Sequence, residues 1–425
     1  MVFYLPLIPT VFLDTQSESL YLKMAFNPNE AQAFLEKIQG IIAQPEQIFE
    51  LHDDSLRRKL REAGWMLSLA MEAPGDTVHR ISNTPLQLAL ARIGVEKRVF
   101  EILAGGDGHI FTNAELAHQS GIDPVLMKRL LRYYQSYGMI SQPGNDAYSR
   151  NNVTTALASD GGRSGISYFF EMISPSFMAF PRFLRQNGYV NPTDPNHCPW
   201  HLGHDTDLSP FPWLQSHPEH LGYFLPWMTA QRDGLPIFLD VLDFEREFAR
   251  NTTPSTPLFV DIGGAIGHQC VALKRRFPEL PGRIILQEQA HVISQVKENP
   301  LPGFEGIEAQ SYDFFTPQPI KGARTYYLRN ILHDWPDHKC KEILQNIKAA
   351  MTGDSVLLID EMVLSERGAP WRATQLDIAM ITCLAATERT EADWQALLNN
   401  SGFKIKKIWK YTDECEDCVL VAIPK

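Results

Sequence analysis

Through the first quarter of the chain, apolar residues recur every three or four positions, the spacing of helices with one buried stripe. "PNEAQAFLEKIQGIIAQ" and "LRRKLREAGWMLSLAMEA", within residues 27 to 72, have this rhythm. "TPLQLALARIGVEKRVFEILA" continues it from Thr84 to Ala104 and stops at Gly105 and Gly106. The next stretch predicts a helix capped by Thr112 or Asn113, a turn at Gly121, a second helix from Pro124, and two short strands around a Pro143-Gly144 turn. That order is a winged helix-turn-helix. Between 164 and 250, large apolar side chains crowd segments joined by proline-rich turns, a density that suits a core or the lining of a pocket for a flat organic molecule.

From Thr256 the pattern changes. Short apolar runs such as "LFVDIG", "RIILQEQ", "ARTYYLRNIL", "SVLLIDEMVL" and "CVLVAIPK" alternate with amphipathic helical stretches. The prediction is a parallel sheet covered on both faces, with its ligand beyond the carboxyl ends of the strands.

Composition narrows the partners. The chain has 425 residues, 44% hydrophobic and 21% charged, and a net charge of -11 that opposes binding to a phosphate backbone. Lys128, Arg129 and Arg132 on the second winged-helix helix lie among Leu130, Leu131, Tyr133, Tyr134 and Tyr137, a surface better suited to another protein chain than to DNA. The apolar opening carries two prolines and an Asp and lacks a basic leader, so a cytosolic protein is expected. Met24 precedes a more conventional start, and residues 1 to 23 are read as a dispensable extension. The six cysteines do not form a disulfide framework and are expected reduced. "HCPWHLGH" and "CEDC" each lack a second matching ligand pair, so no metal is expected.

"LFVDIGGAIGHQC" carries the chemistry. Asp261 ends the first strand of the alternating region, and Gly263, Gly264 and Gly267 let a ligand approach the backbone. A dinucleotide fingerprint needs glycine at 265 and 268, where Ala265 and His268 stand. Glu288 ends the next strand about 20 residues on, where a carboxylate takes ribose hydroxyls. A nucleoside without a pyrophosphate fits both facts. Asp313 and Phe314 in "YDFF" suit an adenine amine and ring. His333, beyond the strand "TYYLRNIL", and Glu361, ending "VLLIDE", share one sheet edge; Glu388 either joins them or initiates a helix beside the Thr390 cap.

In combination and order, "VDIGGAIGH", "ILQE", "YDFF", "LRNILHDWPD", "LLIDEMVL" and "ERTEADWQALLNNSGF" resemble class I S-adenosylmethionine-dependent O-methyltransferases, of the plant caffeic-acid and flavonoid type and its fungal secondary-metabolite relatives. The resemblance implies a Rossmann-like domain with a mostly parallel seven-stranded sheet (251 to 425), substrate helices (161 to 250) and a helical winged-helix dimerisation domain (24 to 160). It places Asp261, Gly263 and Gly267 around the amino-acid part of S-adenosylmethionine, Glu288 on its ribose, Asp313 and Phe314 on adenine, and Arg329 as a basic contact. His333 matches a catalytic base, with Glu361 and Glu388 flanking it. It also implies a homodimer acting on a hydroxylated small molecule. Ala265 departs from the family's third glycine. A related possibility keeps fold and cofactor but uses the sulfonium as a fixed charge for dehydration or ring formation; another is a winged-helix regulator, which the acidic charge disfavours.

Overall fold

The computed structural model describes residues 28–44, 53–232 and 234–425; the extension at 1 to 23 lies outside the described residues. Two compact units divide the chain at Leu88 and Ala89. In the first, helices Pro28–Ala43, Asp54–Ala70 and Pro74–Ser82 leave large apolar side chains in solvent, among them Ile41, Ile42, Leu56, Leu60 and Met66.

The rhythm of 84 to 104 is broken in two, Thr84–Glu96 and Val99–Ala104, because Arg98 sits in the left-handed region at φ 57°. Thr112 caps helix Asn113–Ser120 in a reciprocal capping box with Glu115, and Gly121 ends that helix at φ 68°. Helix Pro124–Ser136 follows, and strands β1 (Ser141–Gly144) and β2 (Ala147–Ser149) complete a wing, to which Phe111 adds a bridge at Tyr148. The wing turns at Asn145 and Asp146 rather than at Pro143 and Gly144. Asp146 adopts φ 47° and its carboxylate accepts the Asn113 N–H at 3.0 Å, which moves the reversal two residues on. Leu130, Leu131 and Tyr134 face inward, and the Tyr134 hydroxyl donates to the Leu90 carbonyl at 2.8 Å. Only Tyr137, with Tyr133 stacked on it at 4.4 Å, remains of the expected aromatic surface.

The sheet runs in the order β5 (Glu308–Ser311), β4 (Arg283–Glu288), β3 (Pro257–Ile262), β6 (Thr325–Arg329), β7 (Val356–Leu364), β10 (Asp417–Pro424), β9 (Phe403–Lys410). The first five are parallel and β10 is antiparallel to both neighbours; a two-residue strand β8 (Arg389–Thr390) pairs with the end of β7. Alternate side chains serve opposite faces. Tyr326, Leu328, Leu357 and Ile359 pack with Ile343, Leu344 and Trp394 on one side, while Tyr327, Leu358 and Val419 pack with Phe238, Phe244 and Leu273 on the other. Each fully buried chain of this kind contributes about 1.5–3 kcal/mol, which is why the strands read as solid apolar runs. β9 is an edge and carries exposed Lys404, Lys406, Lys407 and Lys410. Among the described residues, no helix is long and apolar enough to cross a membrane.

Candidate active site

Parallel pairing aligns the carboxyl ends of four strands: Ile262 stands opposite both Gln287 and Leu328, and Arg329 opposite Asp360. Gly263, Glu288 and Asn330 therefore stand at one edge beside Glu361, which does not end its strand as the sequence suggests but lies within β7, paired with Cys418 of β10.

At β3, the Gly263 N–H donates to the Gln287 carbonyl at 2.8 Å, and Gly263 turns out of the strand at φ 72°. A Cβ there would stand 2.5 Å from the Ile331 side chain, and one on Gly264 would stand 2.4 Å from the Asp261 carboxylate, so a side chain is disfavoured by space and φ at Gly263 and by space at Gly264. Ala265 nevertheless adopts φ 50°. Asp261 is buried, with the Cys270 thiol 3.5 Å from one carboxylate oxygen and no partner on the other. Burial pushes its pKa up to about 7. Burial also raises Glu288, whose carboxylate accepts the Gln289 N–H at 2.6 Å. Asp313 is exposed and accepts the Phe315 N–H at 3.0 Å, while Phe314 is half-buried near Gly263.

Arg329 lies beneath this rim rather than clearly on it. Its Nε is 3.6 Å from Asp360, whose oxygens accept the hydroxyls of Tyr327 and, at 2.6 Å, Tyr411. This buried network of charge and phenol has no sequence motif.

Beyond β6, residues 332–334 form one tight turn carrying His333, which is 7% exposed. Its Nδ1 lies 2.6 Å from Glu388 Oε1 and its Nε2 lies 3.4 Å from Asp334 Oδ1. Burial opposes the charged ring, but Glu388, Asp334 and Glu361 outweigh it and raise His333 to about 10. Burial likewise lifts Glu361 to about 7 and Asp334 to about 6. Glu361 acts on the backbone: its Oε1 accepts the N–H groups of Ile331 and Leu332, both at 2.8 Å. Thr390 caps helix Glu391–Asn400, with Asp393 completing the box, so Glu388 is left free to face the imidazole.

Sequence reasoning missed Arg389. Its guanidinium is 1% exposed and donates to the carbonyls of Leu332 at 3.0 Å and Trp335 at 3.1 Å and to Asp337 at 2.8 Å, over the Trp394 ring. The His333 turn is thus held by Glu361 from its amides and by Arg389 from its carbonyls.

Among the described residues, His333, Glu361 and Glu388 form the one group that brings metal-type donors together, within 4.8 Å. Glu388 Oε1 already meets Nδ1 of His333 and Glu361 Oε1 already accepts two amides, an acid-base arrangement in which Oε2 of each glutamate is buried without a partner. His197, Cys198 and His201 instead line a separate cleft of about 340 Å³, and His204 bonds the Met172 carbonyl at 2.8 Å. All six cysteines are free and buried.

Residues 249–404 match the family model described as O-methyltransferase domain. The O-methyltransferase ucdC of Aspergillus ustus is 38% identical over 355 residues, 84% of this chain and 91% of that protein. The chain belongs to the O-methyltransferase family. Another member, O-methyltransferase lepI of Aspergillus flavus, is 36% identical over 89% of this chain and 97% of its own. The structure of LepI in complex with SAM superposes with a TM-score of 0.85 at 35% identity, covering 92% of this chain and all of that one. A structure described as "A Pericyclic Reaction enzyme" superposes with the same TM-score, 0.85, at 35% identity and the same coverage. Across this family, then, one architecture accompanies both kinds of description.

Proposed function

We propose that this O-methyltransferase moves a methyl group from S-adenosylmethionine to a phenolic or enolic hydroxyl of an aromatic or polyketide-like small molecule in secondary metabolism, with His333 as the proton-accepting group. The observation that carries this reading is the buried His333–Glu388 pair, 2.6 Å apart, on the same strand edge as the glycine turn.

The residues present fit the cofactor. Asp261 has a buried carboxylate oxygen without a partner, and the glycine turn is a cradle that a Cβ would fill. Asp261, Gly263 and Gly267 would hold the amino-acid part, Glu288 the ribose, and Asp313 with Phe314 the adenine; Arg329 would act from below by balancing Asp261 and Asp360. When bound, the cofactor supplies an electrophilic methyl on a positively charged sulfur.

The chain's own groups handle the proton. Glu388 fixes Nδ1–H and stabilises the charged ring, leaving Nε2 for the acceptor oxygen. Asp334 occupies that side in the free protein, so the acceptor takes its place and removes one carboxylate from the ring. Glu388, Asp334 and Glu361 together raise His333 while burial lowers it, so displacing Asp334 shifts the ring toward its neutral form, whose Nε2 takes the hydroxyl proton; acidic phenols and enols give that proton up more readily than aliphatic alcohols. Glu361 and Arg389 keep the turn in register while oxygen, methyl and sulfur are aligned. The exposed apolar helices before residue 88 support a homodimer.

The test is to incubate the purified protein with S-adenosylmethionine and phenolic acceptors. Products heavier by one methylene, together with S-adenosylhomocysteine, support the reading. A second reading is favoured by the likeness to the pericyclic reaction enzyme and by a buried imidazolium able to donate a proton: dehydration or ring formation with the cofactor as a fixed charge. An isomer or a loss of water, with the cofactor unchanged, would select it.

A further inference from the structure

Glu388 is held on His333 by less than its importance suggests. Its Oε1 meets Nδ1, its Oε2 is buried without a partner, and β8 begins only at the next residue. The peptide before Glu388 is therefore outside any ladder, yet a buried amide needs an acceptor. That acceptor comes from helix Trp371–Leu384. The helix ends at Ala385, in the left-handed region at φ 51°, and the chain doubles back along it. The Asp377 Oδ1 then accepts the Glu388 N–H at 3.0 Å. The Thr387 hydroxyl donates to the Glu388 carbonyl at 2.8 Å and lies 3.4 Å from the same Asp377 oxygen.

We propose that Asp377 is a positioning residue of this site: its carboxylate anchors the peptide of Glu388 and so aims the Glu388 side chain at the imidazole of His333. An aspartate inside a helix is a poor helix former, and here it is half-buried, an arrangement that does nothing for the helix itself. Arg389 grips the other side of the same segment, so residues 387–389 are fixed from both flanks. Three carboxylates act on the imidazole: Glu388, Asp334 of its own turn, and Glu361 from β7. The Tyr168 hydroxyl, from helix Asp160–Tyr168, feels Asp334 and Cys383. Asp377 acts on the ring through Glu388.

The inference rests on the reading of His333 and Glu388 as the acid-base pair, and its test separates the two. The ring of His333 is titrated by NMR in the intact protein, its signal assigned by its loss in His333→Gln. Asp377→Ala is expected to lower that titration by about one unit, a tenfold change in proton affinity, because a misaimed Glu388 no longer favours the charged ring. Asp377→Asn, which keeps the acceptor oxygen, is expected to titrate as the natural protein does. In turnover, Asp377→Ala should lower kcat on the order of tenfold to a hundredfold with KM within about twofold, and Asp377→Asn should restore it. Where Asp377→Ala does not fold, Asp377→Glu keeps the charge but moves the acceptor outward, and it too should lower the titration. An unshifted titration in Asp377→Ala or Asp377→Glu overturns the inference, as does an Asp377→Asn protein as impaired as Asp377→Ala. The titration needs no substrate, so it decides the matter even if methyl transfer is never observed.

Discussion

The turn around His333 and the glycine turn after β3 share one edge of the sheet but are built in opposite ways. In the His333 turn, amides, carbonyls and one ring nitrogen find partners within the protein, through Glu361, Arg389 and Glu388. In the glycine turn, Asp261 keeps a buried oxygen without a partner, Ala265 sits in a conformation that disfavours a side chain, and Asp313 points into solvent. A buried polar atom left unpaired costs about 1–3 kcal/mol; on the ligand side Asp261 keeps such an oxygen, while on the proton-handling side Glu361 and Glu388 each keep Oε2 unpaired but already place Oε1 on a partner within the protein. The lesson is a division of labour: the groups that move a proton are pre-organised, and the groups that hold a nucleoside are completed by what they bind.

The sharpest way to break this comparison is His333→Ala. Turnover should fall on the order of 10²–10⁴-fold while calorimetry still detects S-adenosylhomocysteine at near-natural affinity, because the two turns are separate devices. Loss of both together would show them to be one. Next comes Arg389→Met, which takes the guanidinium donors from the Leu332 and Trp335 carbonyls, both still met by the Cys340 thiol, while the largely exposed Asp337 turns to water; a loss of about 1–3 kcal/mol in chemical denaturation is expected. Little change in the midpoint would show that the clamp is ornamental. A pH series adds a signed test. The folded value of about 10 for His333 exceeds the ordinary value near 6.5, so the stabilisation it gives is complete below about pH 6.5 and is lost as pH rises through about 10. The melting-temperature gap between the natural protein and His333→Gln should therefore shrink as pH climbs across that window; a gap that widens contradicts the assignment.

On the ligand side the effects are smaller. Glu288→Ala should weaken S-adenosylhomocysteine binding about tenfold in calorimetry, with kcat at saturating cofactor nearly unchanged, since it touches the nucleoside alone. Smallest of all is Ala265→Gly. It relieves a left-handed residue costing roughly 1 kcal/mol but loosens the unfolded chain by a similar amount, so denaturation should shift by less than about 1 kcal/mol either way.

How much of this the sequence reveals depends on distance along the chain. Solid apolar runs alternating with helical stretches announce a parallel sheet buried on both faces, and the sheet is mostly parallel with one antiparallel strand, β10, inserted before the edge. Gly263 and Glu288 are legible because one directly follows and the other ends a strand; His333 lies a short turn beyond β6, and Glu361 stands level with that edge although β7 runs three residues further. Arg389 and Asp377 were not legible. Arg389 acts on a carbonyl 57 positions away, and Asp377 on a peptide beyond a helix end whose reversal at Ala385 no glycine signals. Glu388 was ambiguous because Thr390, two residues on, is a helix cap by every local rule; only the long-range approach of the His333 turn shows what the acid faces. Tyr134 misled for a related reason, since a tyrosine stripe looks the same whether its hydroxyls meet water or, as here, a carbonyl on a neighbouring helix.

The lysine-studded edge at β9 has a consequence for assembly. A row of like charges repels a second row laid alongside it, and four ammonium groups on eight residues make that border hostile to an incoming copy of itself. The sheet cannot grow from molecule to molecule at that margin. Any symmetric pairing through β9 is thereby closed off, and self-association is steered toward surfaces built from helices.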